Sequence, residues 1–235
     1  MTPHQLKQQE VISEMDRQAR HNALNFSSVA PVEDYEQDDR IGFTSLHIPN
    51  PAFVKAIQKQ VLEPLKKIEP DYLYYSDNMF HFTIKGVRVI NKPPHFNEED
   101  ISVAKDVFSH VVPLHNKFNV YFYKLIVFPA NLSLIGTTDP EFDDLFLDLD
   151  RDLKLAGVPD DKHYLNSKYF FCTLSLCRFN SDPSREFMDK VREIEKGLKF
   201  NPYTVDSVTL VTCNAVFKKR TIIGEWQLAD SNDNT

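Results

Sequence analysis

Glycine is scarce in this chain, and the few glycines stand far apart. Only 6 of the 235 residues are glycine, at positions 42, 86, 136, 157, 197 and 224. A dinucleotide-binding turn and a P-loop each require glycines two to five residues apart, because the backbone must approach phosphate closely there. The commonest nucleotide-binding folds are therefore excluded.

Basic residues are in deficit. There are 27 Lys and Arg against 34 Asp and Glu, so the formal net charge is -7 at pH 7. Binding along a duplex depends on releasing counterions from many phosphates, which requires a broad basic surface. Long duplex nucleic acid is not an expected partner, whereas one local phosphate pocket for a short ligand stays open.

Cysteine is also rare, and its pattern indicates a reducing compartment. The three residues, Cys172, Cys177 and Cys213, are odd in number and contain no C-x-x-C pair. This usage is typical of free, buried thiols and predicts a cytoplasmic location. On one strand Cys172 and Cys177 would point to opposite faces, so we expect no zinc site. No metal and no cofactor is predicted.

No apolar run is long enough for a membrane span. The most apolar stretch, residues 120–136, is interrupted by Lys124, Pro129 and Asn131, and the first ten residues, MTPHQLKQQE, lack the apolar core of an export signal. A membrane partner is therefore not expected. With 42% hydrophobic residues, the chain can nevertheless build a substantial core.

The chain divides into three parts. Val11, Ile12, Met15 and Ala19 recur at helical spacing, which predicts an amphipathic helix over residues 4–24. We interpret residues 1–40 as this helical extension with an acidic linker, residues 41–229 as the main domain in two lobes, and residues 230–235 as a disordered tail. The helix is expected to dock on its own domain or on a second subunit.

Within the main domain, strand and helix patterns alternate in two batches of similar length. Strands are predicted over residues 41–49, 79–90, 118–129, 131–136, 169–179, 205–217 and 221–228, and helices over 51–67, 97–111, 140–156 and 183–199. Two such batches favour an α+β fold of two similar lobes, each an antiparallel sheet backed by outer helices.

Two of the predicted strands carry chemistry on one face. Side chains alternate between faces along a strand, so MFHFTIKGV has one apolar face and one face with polar groups. The strand KYFFCTLSLCRF behaves in the same way. The residues on the two chemically distinctive faces are His81, Thr83 and Lys85 in the first strand and Phe171, Thr173, Ser175 and Cys177 in the second. Such faces indicate the walls of a groove.

These strands resemble those of a known family. HFTIKG resembles the first H-x-T-[LI] strand of the 2H phosphoesterases, which include 2'-5' RNA ligase-like proteins and cyclic phosphodiesterases. FCTLSLCRF follows 90 positions later, where that family has its second H-x-T-L strand, and the order of elements matches over about residues 41–228. The resemblance implies a bilobal, pseudo-symmetric 2H phosphoesterase fold. It also implies that one histidine removes a proton, the other delivers one, and two threonines hold the phosphate.

The second motif departs from the family pattern because Phe171 stands where the second histidine belongs. The resemblance assigns catalytic roles to His81, Thr83 and Thr173. We add Lys85 and Ser175 as phosphate-binding candidates, and Phe171 as either a groove filler or a ring that stacks on a base.

Two other residues near the second motif, Arg178 and His163, are further candidates. Arg178 lies seven rather than five positions after Phe171, which weakens any role for it. His163 is either an exposed loop histidine or a replacement acid.

The leading functional hypothesis is binding, with slow hydrolysis or transfer, of 2',3'-cyclic or 2'-5' phosphodiesters on short RNA ends or small nucleotides. Loss of one acid or base group costs about 10²–10⁴-fold in rate, so the sequence leaves open whether the chain is an enzyme. The first alternative is a non-catalytic nucleotide or RNA-end binding pseudoenzyme. The second is a structural interaction protein with a closed groove.

Overall fold

The computed structural model describes residues 1–35 and 37–230. Its strands are β1 (Ile41–His47), β2 (Leu73–Tyr74), β3 (Phe82–Asn91), β4 (Phe118–Val127), β5 (Asn131–Thr138), β6 (Cys172–Arg178), β7 (Tyr203–Val205), β8 (Ser207–Cys213) and β9 (Arg220–Gln227). Its α-helices are α1 (Pro3–Arg20), α2 (Pro51–Ile57), α3 (Glu63–Lys66), α4 (Glu98–Val111), α5 (Glu141–Leu155) and α6 (Arg185–Gly197). A π-helical turn (Gln58–Leu62) joins α2 to α3.

The strands form two sheets. The first sheet has the order β3-β1-β8-β9, and the second has the order β2-β6-β5-β4-β7. Every pairing between these nine strands is antiparallel, which confirms the predicted α+β class with two antiparallel sheets. The lobes are not successive halves of the chain, however, because the last hairpin, β8 and β9, returns to the first sheet.

Local signals explain where helices begin. Asn50 caps α2 by accepting a hydrogen bond from the Phe53 amide, and Pro51 occupies the first helical position, as the sequence predicts. The helix α1 begins with a capping box between Thr2 and Gln5. It ends at Arg20 rather than at residue 24, and the chain then continues as an irregular segment.

The helix α1 docks on the chain's own second sheet. Ile12, Met15 and Ala19 pack with Ile126 of β4 and Ile135 of β5 in a separate apolar cluster. Ile135 pairs with Thr173 of β6, and directly paired residues share one face of a sheet. The helix therefore covers part of the same face that carries Thr173, while the opposite face of this sheet contributes to the main core.

The end of the described chain is paired with the domain. The Leu228 amide donates to the Asp206 carbonyl and the Ala229 amide to the His115 carbonyl, and Asp230 forms an ion pair with Lys117. The remainder of the predicted tail, residues 231–235, lies outside the described residues. Within residues 1–35 and 37–230, no helix combines the length and apolarity needed to cross a bilayer.

Candidate functional site

His81 stands immediately before β3, where the first motif enters the sheet. Its Nδ1 lies 2.8 Å from the Met79 carbonyl oxygen, and because a carbonyl only accepts, Nδ1 carries the proton. The imidazole ring packs on the ring of Phe217 with centroids 4.5 Å apart. The tautomer fixed by Met79 leaves a lone pair on Nε2, which is the form that a general base requires.

The surroundings keep this imidazole neutral. Burial is the main cause of a lowered His81 pKa, and the cationic side chains of Arg178 and Arg220 lower it further, to about 4. The hydrogen bond to Met79 acts in the opposite direction without reversing the shift. At neutral pH, His81 is therefore an uncharged proton acceptor beside two positive groups.

The structure corrects the role predicted for Lys85. Its side chain is fully buried, with Nζ 2.8 Å from Asp150 Oδ1 and in contact with a carboxylate oxygen of Asp160. The Tyr164 hydroxyl lies 3.4 Å away. A buried ammonium is tolerated only when it is paired, and these carboxylates satisfy it. Lys85 is thus an internal ion-pair residue rather than a phosphate ligand.

A bulge in β6 changes which side chains reach the groove. Ser175 pairs with Ser133, and Cys177 pairs with the preceding residue, Leu132, so Leu176 is an extra residue. Alternation is shifted by one beyond this point. Cys177 therefore joins the main core, contrary to the predicted face, and Arg178 turns toward the groove.

Arg178 is a buried cation that has no carboxylate partner among the described residues. Only 5% of the residue is exposed. Its guanidinium donates to the Ala215 carbonyl at 3.0 Å and to the Tyr75 hydroxyl at 3.3 Å, and it lies over the ring of Tyr35. Among the residues that the structure describes, no carboxylate oxygen lies within 4.0 Å of it. Buried charges are normally paired, so this arrangement favours an anionic ligand.

The two motif strands meet at one cavity of about 230 Å³. Its wall includes Thr83 from β3, Phe171 directly before β6, and Thr173, Ser175 and Arg178 from β6. Both predicted threonines therefore reach the same space, as does Ser175. His81 does not line the cavity, but lies beside it next to Arg178.

The loop after α5 supplies several further residues to the cavity wall, among them Lys162 and His163. Lys162 packs against Gly86 of β3, and its pKa is lowered, mainly by burial. His163 is exposed and lies at the edge of the cavity. Lys162 was not predicted as a groove residue, because the segment DDKHY contains no motif that signals one.

Comparison with known proteins identifies the fold. No family model matches the chain, and no curated protein matches it in sequence. Solved structures do match. ATU0111 from Agrobacterium tumefaciens is 12% identical, with a TM-score of 0.61, and the match covers 90% of this chain and 99% of that one. TT0787 from Thermus thermophilus is 13% identical, with a TM-score of 0.53 and coverages of 82% and 99%.

Escherichia coli LigT, a 2'-5' RNA ligase of the 2H phosphoesterase superfamily, has the same fold. Its phosphate complex is 12% identical, with a TM-score of 0.51, and the match covers 82% of this chain and 100% of that one. The chain therefore has the LigT-like fold that the resemblance implies. LigT has also been crystallised with 3'-AMP.

Proposed function

We propose that this protein binds a 2',3'-cyclic or 2'-5' phosphodiester of a short RNA end or small nucleotide. The observation that supports this most strongly is Arg178, a buried cation that has no carboxylate partner in the described part of the chain. It lies at a cavity that Thr83 and Thr173 also line. A guanidinium with two hydroxyl donors suits a phosphate group, because charge-assisted hydrogen bonds are the strong ones. The nucleotide seen with LigT supports the same ligand class.

The chemistry available is half of an acid and base pair. The neutral Nε2 of His81 takes a proton from water, the water oxygen bonds to phosphorus, and the bond from phosphorus to one ribose oxygen breaks. Phe171 cannot deliver a proton to that departing oxygen, which must take one from solvent. We therefore infer slow hydrolysis of a cyclic phosphate to a ribose monophosphate.

The second candidate is a binding protein without turnover. It is favoured by Phe171, whose ring packs into the apolar cluster of α1, so that the position of the missing acid is held by an apolar contact. Binding of nucleotide without product would support this candidate. The cytoplasmic location and the use of RNA ends stay predictions.

Calorimetry with adenosine 2',3'-cyclic phosphate tests the proposal. We expect binding by the wild-type chain and a loss of at least about tenfold in Arg178→Gln, since a hydrogen bond to a charged group contributes about 1.5–3 kcal/mol. Arg192→Gln is the matched control, because Arg192 is exposed and, among residues 1–35 and 37–230, its one ion pair is with Asp189 on α6. Product analysis separates the two candidates. No binding at millimolar ligand would refute both.

A further inference from the structure

The extension forms a permanent part of the groove. Gln8 of α1 is fully buried, and its amide donates to the Thr138 hydroxyl at 2.7 Å and to the Phe170 carbonyl. The Thr138 amide donates back to Gln8 Oε1 at 2.8 Å. These polar contacts, together with the apolar cluster of Ile12 and Met15, fix α1 against the second sheet beside the cavity.

The segment after α1, residues 21–35, contacts both the end of β4 and the loop after α5, and we refer to it as the strap. Phe26 packs edge-on against Phe128, with centroids 6.3 Å apart. The Ser27 amide donates to the His163 carbonyl at 2.9 Å, and the His163 amide donates to Ser27 Oγ at 2.8 Å. Phe26 and Ser27 both line the cavity, so the strap closes it on this side.

The other side of His81 is open and basic. A second depression is lined by Ser76, Asn78, Met79, Lys218 and Arg220. It adjoins His81, because the Met79 carbonyl accepts the imidazole hydrogen bond and Arg220 lies close enough to lower the pKa of the imidazole. In a chain of net charge -7, two exposed cations at this edge stand out.

We propose that the extension is the end wall of the groove, so that a polynucleotide enters by its terminus alone. The inference rests on the proposed function. The cavity of about 230 Å³ is smaller than the roughly 300–1,000 Å³ typical of ligand pockets, and it accommodates one terminal nucleoside. The reacting phosphate then lies at His81 and Arg178, and the preceding phosphates leave past Lys218 and Arg220.

Three probes test end selection. These are adenosine 2',3'-cyclic phosphate, a linear RNA hexamer with a terminal 2',3'-cyclic phosphate, and a circular RNA hexamer of the same sequence, each titrated against the full chain. We expect the linear hexamer to bind at least tenfold more tightly than the circle, because the circle has no terminus to insert. Equal binding of the linear and circular hexamers would overturn the proposal.

A variant that loosens the wall sharpens the test. Gln8→Ala removes the buried anchor of α1, and we expect it to reduce the preference for the linear hexamer over the circle at least threefold. Gln9→Ala is the matched control, since the neighbouring Gln9 is only half buried and should leave the preference unchanged. Amide exchange will show whether α1 is displaced in Gln8→Ala. If it is displaced and the preference for the linear hexamer is unchanged, the proposal that the extension forms the end wall is contradicted.

Amide hydrogen exchange gives a readout that needs no ligand. The Ser27 and His163 amides should exchange at least tenfold more slowly than the amide of Glu33, an exposed residue of the same strap. Fast exchange at Ser27 and His163 would overturn the proposal that the extension is an end wall, whatever affinities the three ligands show. If these amides are protected and no probe binds, the proposed function is refuted, and end selection is refuted with it. The strap would still be shown to cover one side of the cavity.

Discussion

The two motif strands, β3 and β6, contribute different groups to one candidate site. The segment entering β3 contributes His81, a neutral imidazole with a free Nε2. The strand β6 contributes Thr173, Ser175 and the buried cation Arg178, and Phe171 directly precedes it. In the proposed function, one strand removes the proton and the other binds most of the anion.

The difference shows how unlike the side chains of two matching motif strands can be within one fold. Only Thr83 and Thr173 are equivalent in both position and placement, and both line the cavity. Beyond them, the first strand turns Lys85 inward to two carboxylates, whereas the bulge in the second turns Arg178 toward the ligand space. The cation that reaches the groove therefore comes from the strand that Phe171 precedes.

The largest effect is expected at Lys85 of β3, because its buried ion pairs contribute to the free energy of unfolding. Lys85→Met leaves the buried Asp160 without its cation, and breaking a buried pair in this way costs about 3–5 kcal/mol in the free energy of unfolding. Urea denaturation measures it. Lys162→Met is the control, because among the described residues no carboxylate oxygen lies within 4.0 Å of the Lys162 ammonium. The double variant Lys85→Met with Asp160→Leu should recover stability, because it leaves no unpaired buried charge. If Lys85→Met alone is as stable as wild type, the ion pair of Lys85 and Asp160 does not stabilise the fold.

Phe171→His should restore the equivalence of the two strands. The substitution places a somewhat smaller ring beside Thr173, which the strand should tolerate, and supplies the missing proton donor. We expect a gain in hydrolysis of adenosine 2',3'-cyclic phosphate on the order of 10²-fold, the lower end of general acid or base catalysis. Steady-state kinetics measures it, and a bell-shaped pH profile would report both groups.

The control for this gain is the double variant His81→Ala with Phe171→His. It should lose the gain, since one imidazole serves one end of the reaction only. A folded Phe171→His chain that gains nothing would show that packing against α1 holds the new ring away from the phosphate.

Much of this comparison was accessible from the sequence. Strand alternation predicted that Thr83 and Thr173 would face one groove, and capping signals placed the start of α2 at Pro51. Strand β2, of two residues, and strand β7, of three, were missed, because segments so short carry no readable periodicity.

The errors in the site have physical causes that lie outside each motif. Lys85 was assigned to phosphate because its carboxylate partners come from α5 and the following loop, 65 and 75 positions away. Arg178 was discounted because it lies seven rather than five positions after Phe171, whereas the bulge in β6 turns it toward the groove. Tertiary ion pairs and a local bulge thus determine where the side chains of Lys85 and Arg178 lie, which strand alternation alone does not predict.

A smaller effect is expected at the equivalent positions. Thr83→Val and Thr173→Val each remove one hydroxyl from the cavity, and each should weaken binding of adenosine 2',3'-cyclic phosphate about tenfold, corresponding to one hydrogen bond to a charged group. Calorimetry measures the loss. Thr221→Val on the exposed end of β9 is the matched control. A loss in only one of the two variants would show that phosphate binding is no longer shared between the strands.

The smallest effect concerns the pKa of His81. Burial, with help from Arg178 and Arg220, lowers it from 6.5 to about 4, so an NMR titration of the imidazole should have its midpoint well below 6.5. Because the folded pKa is below the unfolded one, His81 contributes stability above pH 6.5 that is lost as the pH falls toward 4. Arg220→Gln removes one positive neighbour and should raise the midpoint by less than about one unit, whereas Arg192→Gln should not move it. A wild-type midpoint near 6.5 would show that the imidazole is open to water, and β3 would then hold no preformed base to set against the anion site of β6.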